Sequence, residues 1–93
     1  MKTATNKLVR SVQVVNALGI HTRPATMIVK MLQNCKSQVS FTLRKEKINP
    51  KSIMSILMLA AAKNSRITIE VEGEDAEVVM QNLVAGFESG FGE

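Results

Sequence analysis

Residues Ile67–Glu72 read Ile-Thr-Ile-Glu-Val-Glu, and residues Val39–Arg44 read Val-Ser-Phe-Thr-Leu-Arg. In both stretches apolar side chains alternate with polar ones, the pattern of a β-strand with one buried and one solvated face. A sheet made of such strands needs a cover on one side only. The two stretches therefore predict an α+β fold in which helices pack on one face of an antiparallel sheet.

The flanking sequence supplies the remaining elements. A valine-rich strand is expected within residues 7–15, and a turn with a short strand within residues 45–49. Helices are expected from His21, from the N-cap Ser52 to Ala62, and over residues 74–89. The predicted order is β-α-β-β-α-β-α, an open-faced sandwich with four strands and three helices. The predicted apolar stripes contain Ala25, Ile28, Val29, Leu32 and Cys35, then Ile56, Leu59 and Ala60, then Ala76, Val79, Met80, Leu83 and Phe87.

The composition fits one small domain. The chain has 93 residues, of which 45% are hydrophobic, and its mean hydropathy is +0.07. Residues 1–6 are expected to form a flexible tail and residues 7–93 a single domain. Cys35 is the only cysteine, which excludes an internal disulfide and a cysteine-cluster metal site. With no long apolar run, a membrane span is not expected, and no cofactor is expected. The predicted location is the cytoplasm.

The charges are separated along the chain. All 12 lysines and arginines lie between Lys2 and Arg66, whereas seven of the 8 acidic residues lie between Glu70 and Glu93. The basic region could attract nucleic acid, phosphorylated ligands or acidic proteins. The chain has three Phe, no Trp and no Tyr, which disfavours a binder of single-stranded nucleic acid, because such proteins stack bases on aromatic rings.

The chemically most informative stretch surrounds the only histidine. His21 lies where a loop is predicted to enter a helix, after Gly19 and before Arg23 and Pro24. The first backbone N–H groups of a helix are unsatisfied, so they form a ready anion site. Histidine is a nucleophile that can carry a phosphoryl group, and the guanidinium of Arg23 could bind the same anion. The junction therefore indicates a phosphohistidine site.

Residues Leu18–Ala25, which read LGIHTRPA, resemble the active-site signature of HPr. HPr is the histidine-containing phosphocarrier of the bacterial phosphoenolpyruvate-dependent sugar phosphotransferase system. The resemblance continues at Ile48–Met54, through the Ile67–Glu72 strand, and into the last helix. It covers nearly the whole chain after Asn6 and implies the element order already predicted.

The resemblance also implies roles for individual residues. His21 would take a phosphoryl group from enzyme I on its Nδ1 atom and pass it to the A domains of enzymes II. Arg23 would stabilise that group, and the protein would be a stoichiometric carrier rather than an enzyme. Ser52 matches the serine that an ATP-dependent HPr kinase phosphorylates in many lineages. The carrier is expected to be a monomer.

A docking surface is implied next to His21. Since the second helix is apolar nearly all round, one of its sides must face outward. The resemblance assigns that side, with Ile53, Met54 and Leu57, to an apolar patch for partner proteins. A basic rim would contain Thr22, Lys30 and Lys51.

Two alternatives and some departures from the HPr pattern remain. The fold could serve a regulatory module that controls other proteins through the phosphorylation states of His21 and Ser52, and Ser52 could be only a helix cap.

Ser55 and Ala60 stand where HPr proteins often have glycine, and residues 64–65 (Asn-Ser) replace a glycine before the last strand. Asparagine can adopt the left-handed conformation that such a turn needs.

Overall fold

The computed structural model describes residues 7–93, and its elements follow the predicted order. The predicted tail, residues 1–6, lies outside the described residues. The strands and helices are β1 (Lys7–Gln13), α1 (Thr22–Leu32), β2 (Gln38–Leu43), β3 (Glu46–Ile48), α2 (Ile53–Leu59), β4 (Arg66–Glu72) and α3 (Ala76–Ser89). A short 3-10 turn, Gly90–Gly92, follows α3.

The four strands form one antiparallel sheet in the order β1-β4-β2-β3. The central strand β4 pairs Ile67 with Val12 of β1 and Ile69 with Phe41 of β2. All four of these side chains are buried, whereas Glu70 and the other polar residues of β4 point to the opposite face. The predicted α+β fold with a one-sided sheet is therefore confirmed.

The core lies between this sheet and the helices. Phe41 of β2 packs edge-on against Phe87 of α3, with ring centroids 5.6 Å apart, and Phe87 packs in the same way against Phe91, at 5.0 Å. The predicted stripe of α3 is buried throughout, and Val29 of α1 is only partly buried. Cys35, predicted on the same helix stripe, lies beyond the end of α1 and is partly buried. The buried side chains of α1 are Pro24, Ala25, Ile28 and Leu32.

The second helix ends earlier than predicted. It stops at Leu59, and Ala60 adopts a left-handed conformation with φ 53° as the residue that closes the helix. Ala60 is exposed, so its predicted place in the core is wrong. The left-handed residue turns the chain toward β4, and Asn64 makes a second left-handed turn with φ 74°, as its side chain allows.

The start of the third helix is also shifted, from the predicted Glu74 to Ala76, with Asp75 as the N-cap. The carboxylate of Asp75 does not cap α3. It accepts hydrogen bonds from the backbone N–H of Lys36, at 2.8 Å, and from the hydroxyl of Ser37. These bonds, that of Ser37 first, hold the pKa of Asp75 below its ordinary value of 3.8. The contact joins the loop before β2 to the start of α3.

Replacing Ala60 with glycine should stabilise the protein. A left-handed backbone costs a residue with a Cβ about 1–2 kcal/mol, whereas glycine adopts it freely and loses slightly more entropy on folding. We expect Ala60→Gly to raise the free energy of unfolding by about 0.5–1 kcal/mol in urea denaturation. Ala62→Gly is the matched control, because Ala62 is exposed and does not have positive φ. A loss of stability in Ala60→Gly would contradict this explanation.

The Asp75 contact should make stability sensitive to acid. Because its folded-state pKa is lowered, the contact stabilises the protein above pH 3.8 and is lost as pH falls through the folded-state value. The unfolding free energies of the wild type and Ser37→Ala should therefore differ at neutral pH and converge in acid. Glu88→Gln, a change at an exposed carboxylate near the other end of α3, should follow the wild-type pH curve. Parallel curves for the wild type and Ser37→Ala would refute the assignment.

Candidate functional site

The approach to His21 is fixed by the backbone. Gly19 has φ 72°, and its N–H donates to the carbonyl of Asn16 at 3.0 Å. The next N–H, that of buried Ile20, donates to the carbonyl of Ala61 at 2.9 Å. A Cβ on Gly19 would lie 2.4 Å from that same oxygen. Only glycine fits here, and the chain therefore enters α1 in one defined direction.

His21 is the N-cap residue of α1, as the sequence predicted. Its backbone is extended, its side chain makes no capping hydrogen bond, and its carbonyl accepts from the N–H of Ala25 at 3.0 Å. Pro24 has no N–H, so the amides of Thr22 and Arg23 are the first-turn donors left without a partner within the helix. An anion beside the imidazole would meet these two N–H groups and the positive end of the helix dipole.

A carboxylate lies against the histidine and the arginine. Oε1 of Glu93 is 3.0 Å from Nε2 of His21, and Oε2 is 3.4 Å from a terminal nitrogen of the Arg23 guanidinium. The side chain of Glu93 is only 19% exposed, whereas that of Arg23 is 78% exposed. The structure thus brings His21 and Arg23 together, and both side chains contact the same carboxylate, that of Glu93.

The turn after α3 brings Glu93 to the site. The side-chain amide of buried Asn16 donates to the carbonyl of Gly90 at 2.8 Å, and Phe91 is buried against Phe87. Sequence reasoning assigned Gly90 and Gly92 only to ending the last helix and missed Glu93. The available signal was a carboxylate immediately after two closely spaced glycines.

Ser52 lies at the start of α2, as predicted. Its hydroxyl accepts a hydrogen bond from the backbone N–H of Ser55 at 3.2 Å, which is the geometry of an N-cap. The residue is exposed. A modifying enzyme could reach the hydroxyl, and the capping role alone also explains a serine at this position.

The apolar side chains predicted to form a docking patch are all exposed. The exposed fractions are 37% for Ile53, 65% for Met54 and 36% for Leu57, while Ile56 and Leu59 of the same helix are buried. Met58, exposed to 74%, enlarges the patch and was not predicted. Since α2 packs against α1, the patch and His21 belong to neighbouring helices.

Of the residues predicted to form the basic rim, Lys51 makes a hydrogen bond within the fold, whereas the other two lie exposed on a helix. Lys30 and Thr22 lie exposed on α1. The ammonium group of Lys51 donates to the carbonyl of Ser37 at 2.8 Å, which ties the loop before α2 to the loop before β2. Lys51 therefore supports the local fold as well as contributing positive charge at the surface.

Between residues 7 and 93, no group of three or more His, Cys, Asp or Glu side chains is arranged to hold a metal ion. Within the same residues, no helix is long and apolar enough to span a bilayer.

Comparisons with known proteins agree with the fold and show the family of the chain. The model of the family described as "PTS HPr component phosphorylation site" matches residues 8–89. The phosphocarrier protein HPr of Chlamydia muridarum is 46% identical over 78 residues, which cover 84% of this chain and 75% of the relative.

Solved structures of HPr proteins are also similar to this chain. HPr from Thermoanaerobacter tengcongensis is 32% identical with a TM-score of 0.88, covering 92% of this chain and 97% of that one. A second structure from that organism, described as an HPr dimer, is 33% identical with a TM-score of 0.74 and full coverage of both chains. By its sequence and its fold, the chain belongs to the HPr phosphocarrier family of the phosphotransferase system.

Proposed function

We propose that this protein accepts a phosphoryl group from phospho-enzyme I on His21 and passes it to enzyme IIA components of the phosphotransferase system. The observation that carries the proposal is the anion site at the start of α1, where His21 and Arg23 already contact a carboxylate. A phosphoryl group on the imidazole would meet the guanidinium and the two first-turn amides. These are the groups that stabilise such an anion.

The transfer exchanges the donor's bond to phosphorus for a nitrogen–phosphorus bond on His21. The lone pair on Nδ1 of His21 forms the new bond, while the bond between phosphorus and the donor atom of enzyme I breaks and its electron pair returns to that atom. Arg23 offsets the charge on the transferring oxygens. Because a phosphoramidate is labile, the same steps in reverse deliver the group to the next acceptor. The protein therefore acts as a stoichiometric carrier.

Partner binding is proposed at the docking patch of Ile53, Met54 and Leu57. Exposed apolar side chains next to a reactive group are typical of a protein interface. The formal net charge of +4 and the exposed lysines Lys30 and Lys51 favour partners with an acidic surface. The protein is proposed to act as a monomer, although solved relatives include dimers.

Replacing the histidine should abolish phosphorylation. Since His21 is the only imidazole in the chain, we expect His21→Ala to lose all enzyme I-dependent incorporation of label from phosphoenolpyruvate. The wild-type label should be acid-labile, as expected of phosphohistidine. Circular dichroism serves as the folding control, and Ser52→Ala as a variant that should still be labelled. Undiminished labelling of His21→Ala would refute the assignment of the acceptor.

A second candidate function, a regulatory module, is favoured by one observation. The hydroxyl of Ser52 is at the surface, in the residue directly before the docking patch. A phosphate added there by an HPr kinase would bring about −1.5 to −2 charges to the patch. The helix dipole tolerates such a charge at an N-terminus, so the modification would alter partner binding rather than the fold.

A charge at Ser52 should slow transfer without unfolding the protein. We expect Ser52→Asp to keep its melting temperature and to accept phosphate from enzyme I at least roughly tenfold more slowly, because like charges then meet across the interface. Ser52→Ala should lose about 1 kcal/mol of stability with the cap but should retain transfer. If Ser52→Asp matched the wild-type rate over a range of salt concentrations, Ser52 would be a helix cap only.

A further inference from the structure

The methionines of this chain are unevenly distributed between core and surface. The chain has six, and the structure describes Met27, Met31, Met54, Met58 and Met80. Met80 of α3 is only 3% exposed, and Met31 packs partly buried against the core. The other three are exposed, and all belong to α1, which begins at the histidine, or to α2, which carries the docking patch. Among the described residues, the thioethers that solvent reaches are therefore concentrated around the proposed interface.

Met54 and Met58 lie on one side of α2. They are four residues apart, about one helical turn, so their side chains are neighbours on the helix surface. Ile56 and Leu59 of the same helix are buried, which fixes the side that faces outward. Among the large apolar side chains of residues 7–93, only Leu18 is more exposed than these two methionines. The outward side of the docking patch therefore presents two thioether groups next to each other.

We propose that Met54 and Met58 are sites of reversible oxidation, at which a peroxide converts the docking patch into a polar surface that partner proteins bind weakly. The inference rests on the proposed function and names a regulation of the same site. In each reaction a lone pair of the thioether sulfur attacks one oxygen of hydrogen peroxide, and the O–O bond breaks. The sulfur loses two electrons and becomes a sulfoxide. The other oxygen leaves as hydroxide and takes the proton of the transferred hydroxyl group, which gives water.

A sulfoxide at these positions changes the binding surface more than it changes the fold. Its oxygen accepts hydrogen bonds from water, and an interface that buries the group must remove that water. An apolar anchor contributes to binding where it is fully desolvated, and a polar group at the same place loses that contribution. Because both side chains face solvent, neither oxidation places a polar group in the core, as oxidation of Met80 would. The oxidised chain should therefore stay folded, with His21 chemically unchanged.

The thiol of Cys35 is a further sulfur group that a peroxide can oxidise. It lies partly buried beyond the end of α1, and its Sγ donates a weak hydrogen bond to the carbonyl of Ser37 at 3.5 Å. Oxidation of a thiol to the sulfenic acid is reversible, as oxidation of methionine is. Cys35 does not belong to the docking patch, so its oxidation should leave partner binding unchanged, and Cys35→Ser is tested in parallel.

The first readout is the position of the added oxygen. The full chain is treated with dilute hydrogen peroxide, and its peptides are analysed by mass spectrometry over time. We expect Met54 and Met58 each to gain one oxygen at least roughly fivefold faster than Met80, because only the exposed sulfurs meet the oxidant. Met27, which is 43% exposed, should react at an intermediate rate. Oxidation of Met80 as fast as that of the two α2 methionines would overturn the inference.

The second readout is enzyme I-dependent labelling by phosphoenolpyruvate. For the oxidised wild type, the KM for this chain as acceptor should rise at least roughly fivefold, the effect of losing one interface anchor. The kcat should change little, because His21 and Arg23 are not altered. Treatment with the two methionine sulfoxide reductases should restore the original KM, since each enzyme reduces one sulfoxide epimer. Circular dichroism of the oxidised protein should match that of the untreated protein.

Substitutions identify the side chains responsible. In the double variant Met54→Leu/Met58→Leu, leucine keeps the apolar volume without a sulfur, so peroxide treatment should leave its KM unchanged. Met27→Leu makes the same substitution at an exposed methionine outside the docking patch, and it should remain as sensitive to peroxide as the wild type. Cys35→Ser should also remain sensitive.

Four results would contradict the inference: an unchanged KM with both α2 methionines oxidised, a rise in KM that persists in the double variant, protection by Met27→Leu or Cys35→Ser, or loss of folding on oxidation. Failure of the proposed function would look different. The untreated wild type would then not be labelled by enzyme I, whereas the ranking of the oxidised methionines needs no partner protein.

Discussion

The close approach of Gly19 to the backbone of Ala61 is the constraint on which the site depends. It places a left-handed turn directly before a buried residue and so fixes the point at which α1 begins. His21 then lies at the N-terminus of the helix, where two amides are unsatisfied. A histidine one turn further along the helix would have the same chemistry but would lose these donors. In this chain the position of the anion site thus depends on a steric requirement for glycine at residue 19.

Much of the fold could be predicted because its physical causes are periodic. Alternation along Ile67–Glu72 and the apolar stripe of α3 each report a buried face, and both faces are buried as expected. The early end of α2 at Ala60 could not be found in this way. Alanine favours helices, but the chain must turn toward β4 at this point, and the left-handed conformation of Ala60 that makes the turn overrides that preference. Propensity is a weak guide wherever the chain must change direction.

In the candidate site, too, the residues set by local sequence could be predicted and the one set by tertiary packing could not. His21, Arg23 and Ser52 lie within short motifs next to helix starts, and their positions followed from local sequence. Glu93 is 72 residues from His21, and the contact between them depends on how α3 and its following turn pack on the start of α1. The local signal, a carboxylate directly after two closely spaced glycines, does not identify its partner. Contacts between distant parts of the chain come only with the packed core, here through Phe91 and Asn16.

The central claim is that His21, at the start of α1, receives the phosphoryl group on its Nδ1 atom. The most direct measurement is the 15N spectrum of the histidine-labelled protein after phosphorylation by enzyme I and phosphoenolpyruvate. One-bond coupling to 31P identifies the nitrogen that is bonded to phosphorus. The account predicts this coupling at Nδ1. Coupling at Nε2, the atom that contacts Glu93, would contradict it.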